Sequence, residues 1–583
     1  MDISKGECDE SDNLSEEDWG YNDGRWGVIM NEMRKYDPPE VTLSAFDETG
    51  RDESTIPVLK QRSYTGRKVI PSALADTPCA NLGVHGVFEK FNTMLGTSYT
   101  PSPLLFSVLE SYIKQECNFG MVYAHLRFYW FHPAVIEESL RRDEERDRIM
   151  RRKAIVGAKI TKRDMPPRRV WDLYANRVVP YWVALTDWTG ISHAWVAEEE
   201  RKNAMTPING YEWPVPIPKD VDLNLIRIEM LNRGAEYVWL DVLCLRQEYA
   251  IREDHYEEDQ HKEGQRKKEW KLDVPTIGGV YDGSLRNMSH TVVYLSGLGR
   301  PLNFILGDLE SNQCWFNRAW TLQEIPDDSE PFAVGGDTGD AEEEMLTRVH
   351  DQLKLLRDMR RWGTPFTILS QMRNRVSRKP LDKVAGLIYL LDAKSIPIYD
   401  GAQSEEDAWA ALVDTTSPSL RAELFFCFPR PGNKNKSWHP SWEQVMAHTL
   451  PWGDKGFNVG YVFWTEEIDS DWYEGPRVDS VYINGLAETS DNPRHGNLFV
   501  KADFSWSYSE CKIVADHTYP IRDGWYTLIG TGGGYVPSIS DFWVVGRLRP
   551  DGKFEKVSVI RFEYPTRPER RFRDEICVKT VLC

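Results

Sequence analysis

The residues best equipped for chemistry lie together in Cys314-Trp315-Phe316-Asn317-Arg318-Ala319-Trp320-Thr321-Leu322-Gln323-Glu324. Two tryptophans, an arginine and a glutamate fall within this stretch, just after an apolar, strand-like run. A carboxylate set among aromatic side chains is poorly solvated, so it holds its proton more tightly, which suits Glu324 to proton or cation chemistry. Helical spacing would put Phe316, Trp320 and Glu324 on one stripe. The same spacing fits an ordinary amphipathic helix whose tryptophans are core and whose Glu324 pairs with Arg318 or another base.

Other reactive-looking groups carry weaker signals. Cys244 and His193 could be a thiol and its base, but Cys244 sits in an apolar run, where a small buried hydrophobe is the simpler reading. His255 and His261 flank an acidic loop at a spacing that fits no standard metal motif. Gly530-Thr531-Gly532-Gly533-Gly534 lacks the Lys-Ser/Thr and the helix that a phosphate loop needs, and reads as a β loop. The basic run from Arg567 to Arg573 is short and reads as surface.

The elements that must position such groups follow from pattern. A chain of 583 residues is too long for one core, and about three units are expected. Residues 1–65 are acidic and poor in apolar periodicity; residues 1–60 hold 16 acidic and 6 basic side chains, a net of -10 out of -19 for the whole chain. That segment reads as disordered, or loosely held by Trp19 and Trp26. Residues 66–167 read as a helical region, with helices expected from Leu104 to Ile113 and through the charged run 134–163, a solvated face or strut broken by Pro166-Pro167. From 168 to 395 strands alternate with helices. Strands are expected at Gly190–Val196, Tyr237–Leu245 and Thr291–Leu295. Helices are expected at Asp220–Asn232, with Gly234 as its stop, at Thr276–Asn287 (weakened by Gly278-Gly279), over 340–361 and at Asp382–Asp392. This is the pattern of a parallel sheet with helices on both sides. Residues 396–583 read as a β-rich domain, with short strands and turn residues filling 455–583 as an antiparallel unit.

The acidic balance argues against nucleic acid as a partner. Nine scattered cysteines without a CxxC suit a reducing compartment, the N-terminus is not a leader, and no apolar run approaches the ~18 residues of a membrane span. A cytoplasmic protein is expected.

Four segments, in order, resemble the fungal heterokaryon-incompatibility (HET) domain. Ile191-Ser192-His193-Ala194-Trp195 resembles its "(L/I)SHxW" strand. Tyr237-Val238-Trp239-Leu240-Asp241-Val242-Leu243-Cys244-Leu245-Arg246-Gln247 resembles its "YLWIDxLCIxQ" signature. Arg318 to Glu324 resembles "RxWTLQE", and Asp382 to Leu387 resembles "DKVYGL". Arg246 and Ala319 depart from the commoner smaller residue and glycine. The resemblance covers about 170–395 and implies nothing for the rest. The HET domain is in turn similar to TIR domains, which have a flavodoxin-like parallel sheet. In their enzymatic members a helix of the type "WCxxEL", following a serine-bearing strand end, carries the glutamate that cleaves NAD; here Tyr294-Leu295-Ser296 precedes Cys314-Trp315 and Glu324.

The resemblance implies fungal non-self recognition and programmed cell death as the function, exercised through protein partners or self-association. As an alternative it implies an NAD(P) glycohydrolase centred on Glu324. Cleaving the N-glycosidic bond builds oxocarbenium character on the ribose, which a carboxylate can stabilise. The pocket should then lie beyond the carboxyl ends of the strands. His193, Trp195, Asp241, Arg318 and Trp320 would bind or orient the substrate. No metal and no resident cofactor are expected; NAD would enter as substrate.

Overall fold

A computed structural model describes residues 29, 31–184, 186–249, 256–281, 291–303, 308–325, 333–339, 343–434, 436–451, 459–467, 469–488, 493–501, 508–531, 542–563 and 577–583. At its centre is a mixed six-stranded sheet. Its strands are β1 (Arg169–Asp172), β2 (Arg177–Pro180), β3 (Trp188–His193), β4 (Tyr237–Leu240), β5 (Thr291–Tyr294) and β6 (Ala333–Val334). Their order across the sheet is β6-β5-β3-β4-β1-β2. The four strands β4, β3, β5 and β6 are mutually parallel, while β1 joins β4 antiparallel and carries the hairpin partner β2. Taken alone, the parallel strands run second-first-third-fourth, so the chain reverses its direction of travel across the sheet between β3 and β5. In open α/β sheets such a reversal leaves a crevice at the carboxyl ends of the strands.

The parallel strands form because β4 and β5 are apolar throughout and buried on both faces. Helices cover both faces. Tyr294 of β5 donates its hydroxyl to Glu229, 2.8 Å away on the helix Leu223–Asn232. On the opposite face Gly190, whose neighbour across the ladder is Thr291, meets the ring of Tyr281 from the helix Ile277–Tyr281. Thr291 and Tyr294 are three residues apart in one strand, so they project to opposite faces. A Cβ on Gly190 would lie 2.8 Å from the Tyr281 ring, which explains glycine there.

Several expected elements are shorter than their patterns. The apolar run Tyr237–Leu245 is a strand only to Leu240; Asp241–Cys244 is a helical turn. The helix from Asp382 is confined to Leu381–Ala385. The helix expected from Thr276 spans Ile277–Tyr281, and residues 282–290 lie outside the described set. Leu223–Asn232 is capped by Asp222 and stopped at Gly234, which has φ +84°. The helix Glu343–Trp362 buries Val349, Leu353 and Leu356 as its stripe requires.

The N-terminal expectation is corrected. Residues 40–67 are ordered: Glu40–Ser44 pairs antiparallel with Ser63–Arg67, and Ile29 and Met33 join the main core. Low apolar content hid this segment because polar side chains hold it. Gln61 donates to Glu229 at 2.8 Å, and the fully buried Arg227 reaches Glu48 at 3.3 Å and the Ile70 carbonyl at 2.7 Å. Residues 1–28, with Trp19 and Trp26, lie outside the described set. The charged run appears as the helix Ile136–Ala154, but Arg151 on it is buried, bonded to Asp147 at 2.9 Å and to the Pro167 carbonyl at 3.0 Å. One face of that helix is therefore anchored rather than solvated.

The region 396–583 begins with helices, Glu405–Thr415, Pro418–Cys427 and Trp442–Ala447, where a β-rich domain was expected. Strands fill the rest. Ser470–Asn484 pairs with both Arg494–Lys501 and Gly524–Gly530, and the ladder continues through Tyr508–Ala515, Phe554–Phe562 and Phe542–Leu548. Six antiparallel strands thus close on themselves around a separate core that includes Val481, Ile483, Leu528 and Ile560. Most other large buried groups, from Ile29 to Leu582, belong to one continuous core, with Ile56 and Leu225 in a small cluster of their own.

Candidate active site

β3 ends in Ser192-His193, and both side chains are buried. β4 ends at Leu240, so Asp241 stands at the first position past its carboxyl end. Beyond β5 the chain reaches the tryptophan-rich stretch, which is not a helix. It is two single 3-10 turns, Trp315–Asn317 and Trp320–Leu322, separated by a bridge in which Arg318 pairs with Val376. The bridge consumes the backbone groups a helix would need: Ala319 N–H donates to Val376 O at 2.9 Å, and Val376 N–H to Asn317 O at 2.7 Å. Thr321 Oγ1 ties the turns together by donating to Trp315 O at 2.6 Å and to Arg318 O at 2.9 Å. The expected stripe of Phe316, Trp320 and Glu324 is therefore lost, because tertiary pairing overrides helical propensity.

The turns nonetheless deliver Glu324 to the strand ends. Trp315 Nε1 donates to Ser192 Oγ at 2.7 Å, and Ser192 Oγ–H donates to Glu324 Oε2. Beside this relay, His193 Nε2 lies 2.9 Å from Asp241 Oδ1, which also accepts the Val242 N–H at 2.7 Å. Burial, with Asp241 adding to it, pushes the Glu324 carboxyl up to about 7; the Ser192 hydrogen bond and the charges of His193 and Arg375 only partly oppose this. For His193, burial disfavours the charged ring, but Asp241 and then Glu324 outweigh it and hold the imidazole above its ordinary range. The site therefore sets an imidazole of raised proton affinity against Asp241 and beside the Glu324 carboxyl, which is itself slow to ionise.

Of the six residues singled out in the sequence, Glu324, His193 and Asp241 meet at this edge. Trp195 stacks obliquely beside His193, ring centroids 5.4 Å apart. Arg318 and Trp320 flank Glu324 from its own turns, with Arg318 close enough to feel the charges of Glu324 and Asp382. An Arg318–Glu324 ion pair does not occur among the described residues: Arg318 is half-buried and acts on Glu324 only through its charge. Trp320 lies against Asp382, whose carboxylate accepts from Tyr399 at 2.9 Å.

Four further residues belong to the site. Ser192 is the serine that meets Glu324, whereas Ser296 bonds its own loop at Asn303. Its signal was its place beside His193 in the strand. Trp315 orients Ser192. Tyr281 donates to Ile191 O at 3.0 Å and stands near both Glu324 and Asp241. Arg375 is buried and donates to Arg318 O at 2.7 Å and Thr321 Oγ1 at 2.8 Å, with its charge facing Glu324. Nothing local marks Arg375; only the Val376 bridge brings it in.

The other candidates are structural or fall outside view. Cys244 is buried on its helical turn and burial pushes its thiol up to about 12, so it is no nucleophile. His261 lies on the helix Tyr256–Asp273; His255, Gly532–Gly534 and Arg567–Arg573 lie outside the described residues. Among the described residues no helix is long and apolar enough to cross a membrane, and no cluster of His, Cys, Asp and Glu could hold a metal ion. No family model, curated protein or solved structure matches the chain.

Proposed function

We propose that this chain is a HET-type effector of non-self recognition and cell death, whose central domain acts by hydrolysing the N-glycosidic bond of NAD or a related nucleotide. One observation carries the reading. Residues from two strand ends, Ser192-His193 and Asp241, meet Glu324 from the turns that follow the third strand, where the order of the parallel strands reverses, and there the Glu324 proton affinity is raised to about 7.

The chemistry fits such a group. As the bond to the leaving base breaks, positive charge develops on the ribose, and an ionised Glu324 facing it lowers that barrier. Ser192, itself held by Trp315, fixes the carboxylate rotamer. His193, engaged by Asp241 at Nε2 and by the Ala194 carbonyl at Nδ1, holds the Asp241 carboxylate in place beside Glu324. The HET and TIR resemblance of the four motifs supports the same reading, and assembly with itself or a partner would be the trigger that admits substrate.

The test is NAD consumption by the purified full chain, alone and after induced assembly, beside Glu324→Gln and Glu324→Ala. Loss of at least about a hundredfold in both variants is expected, the scale of removing one charge-stabilising group. Equal turnover in all three proteins overturns the enzymatic reading. In that case host-cell killing at constant NAD would favour a scaffold acting through contacts alone.

A further inference from the structure

We propose that Arg201 and Arg318 form an anion site at the rim beside Glu324, and that the anion is the pyrophosphate of a dinucleotide. The proposal rests on the reading of Glu324 as the reacting carboxylate, and it names the part of the substrate that the hydrolytic centre does not touch.

Both arginines are fixed by backbone. Arg201 opens the strand Arg201–Ala204, which pairs antiparallel with Val215–Pro218, Arg201 opposite Pro218. Its guanidinium carbon lies 5.2 Å from the centroid of the Trp195 ring, and that ring lies beside His193. Arg318 is set by the bridge to Val376, its carbonyl clamped by Arg375. Burial lowers the affinity of both guanidiniums for their protons, and the charge of Arg201 lowers that of Arg318 further. Arg201, over the Trp195 ring beside His193, and Arg318, in the turns that carry Glu324, thus border the same site and feel one another's charge.

Neither has a counter-ion in contact among the described residues. Neither guanidinium makes a side-chain hydrogen bond or an ion pair to a described residue, and Arg201 Nε is buried without a partner. Glu198 and Glu199 influence Arg201, and Asp382 influences Arg318, but only at longer range. Other buried arginines have oxygen partners: Arg127, Arg177, Arg227 and Arg421 pair with Asp172, Asp76, Glu48 and Asp471, while Arg375 and Arg494 bond carbonyl and hydroxyl oxygens. Two half-buried guanidiniums with unused donors are an expense unless a ligand supplies the oxygens. Each planar fork matches one phosphate bidentately, so two forks match two linked phosphates better than one. A nucleoside would leave both unused.

The test uses three substrates that share one glycosidic bond: NAD, nicotinamide mononucleotide and nicotinamide riboside. With the full chain, kcat/KM should fall in that order, and Arg201→Gln and Arg318→Gln should each collapse the ratio of NAD to riboside turnover by about ten- to hundredfold, mainly through KM. Arg201→Lys, which keeps charge but loses the fork, should fall between. Calorimetric titration of inorganic pyrophosphate and of ADP-ribose into Glu324→Gln separates binding from chemistry. Both should bind, more weakly at higher salt and more weakly still when Arg201→Gln is added. Equal hydrolysis of all three substrates, or pyrophosphate binding that is missing or indifferent to both arginines, overturns the site while leaving the hydrolase reading intact. Binding through Arg201 and Arg318 in a chain that cleaves none of the three upholds the site and removes the hydrolase.

Discussion

Glu324 is the side chain on which the most physical chemistry converges. Its proton affinity in the folded chain is raised from an ordinary 4.5 to about 7. The folded state therefore prefers the neutral acid, and stability is lost as pH climbs from the unfolded value through the folded one. At 1.36 kcal/mol per tenfold change in proton affinity, and with some contact to water retained, ionisation costs about 2–3 kcal/mol above neutrality. His193 acts in the same direction: its raised affinity contributes stability below its ordinary value, and that contribution fades as pH rises through the folded value. Glu324→Gln, which can still accept from Ser192, should thus unfold like the parent at pH 5 and at higher denaturant than the parent at pH 8. Denaturant titrations at the two pH values check this, and identical shifts at both would mean that Glu324 is ordinarily solvated. The same ionisation should give NAD turnover an ascending limb near pH 7. At this scale the sequence was partly legible. His193, Asp241 and Glu324 stood out by type and company, whereas Arg375 could not, because its role comes from a backbone bridge between positions 318 and 376.

Among the elements, short buried strands were the most readable, since a continuous apolar run bounded by polar turns has few other homes. The 314–324 stretch misled because its spacing is helical while its backbone groups are claimed by Val376. Glycines in helices separate the two kinds of local rule. Gly264 lies within Tyr256–Asp273, and a Cβ there meets nothing within 4 Å. Gly264→Ala should stabilise by about 0.5–1 kcal/mol through lost unfolded-state freedom. Gly278 lies in Ile277–Tyr281, and a Cβ there would fall 2.3 Å from the Tyr389 ring. Gly278→Ala should destabilise by about 1–3 kcal/mol, the cost of overpacking a tight contact. Thermal unfolding of the two variants compares them directly; the same sign for both would refute the packing at Tyr389.

For the molecule as a whole, the boundaries suggested by composition are not boundaries of packing. Arg127, from the N-terminal helices, is buried against Asp172, Glu236 and Tyr237 of the central sheet region. Asp471, at the start of the long strand Ser470–Asn484, receives Arg421, Trp438 Nε1 at 3.0 Å and Lys436 at 2.9 Å. These contacts join helical and β parts through charges that cannot be left alone. A fragment of residues 168–395 would leave Asp172 without Arg127 and Arg227 without Glu48, and it should show no cooperative unfolding transition by near-ultraviolet circular dichroism. Asp471→Ala should cost about 3–5 kcal/mol, because Arg421 is left buried and uncompensated. A loss below about 1 kcal/mol would show that the junction is wet.

The central sheet ends on one side in the buried strand β2, which finishes at Pro180, and on the other in the two-residue strand β6. Among the described residues, neither margin offers a run of free N–H and C=O groups long enough to template a strand from another molecule. Copies of this chain that gathered at the central sheet would have to recognise one another there through side chains, so that contact should dissolve with salt or point substitution rather than set into a backbone-linked fibril.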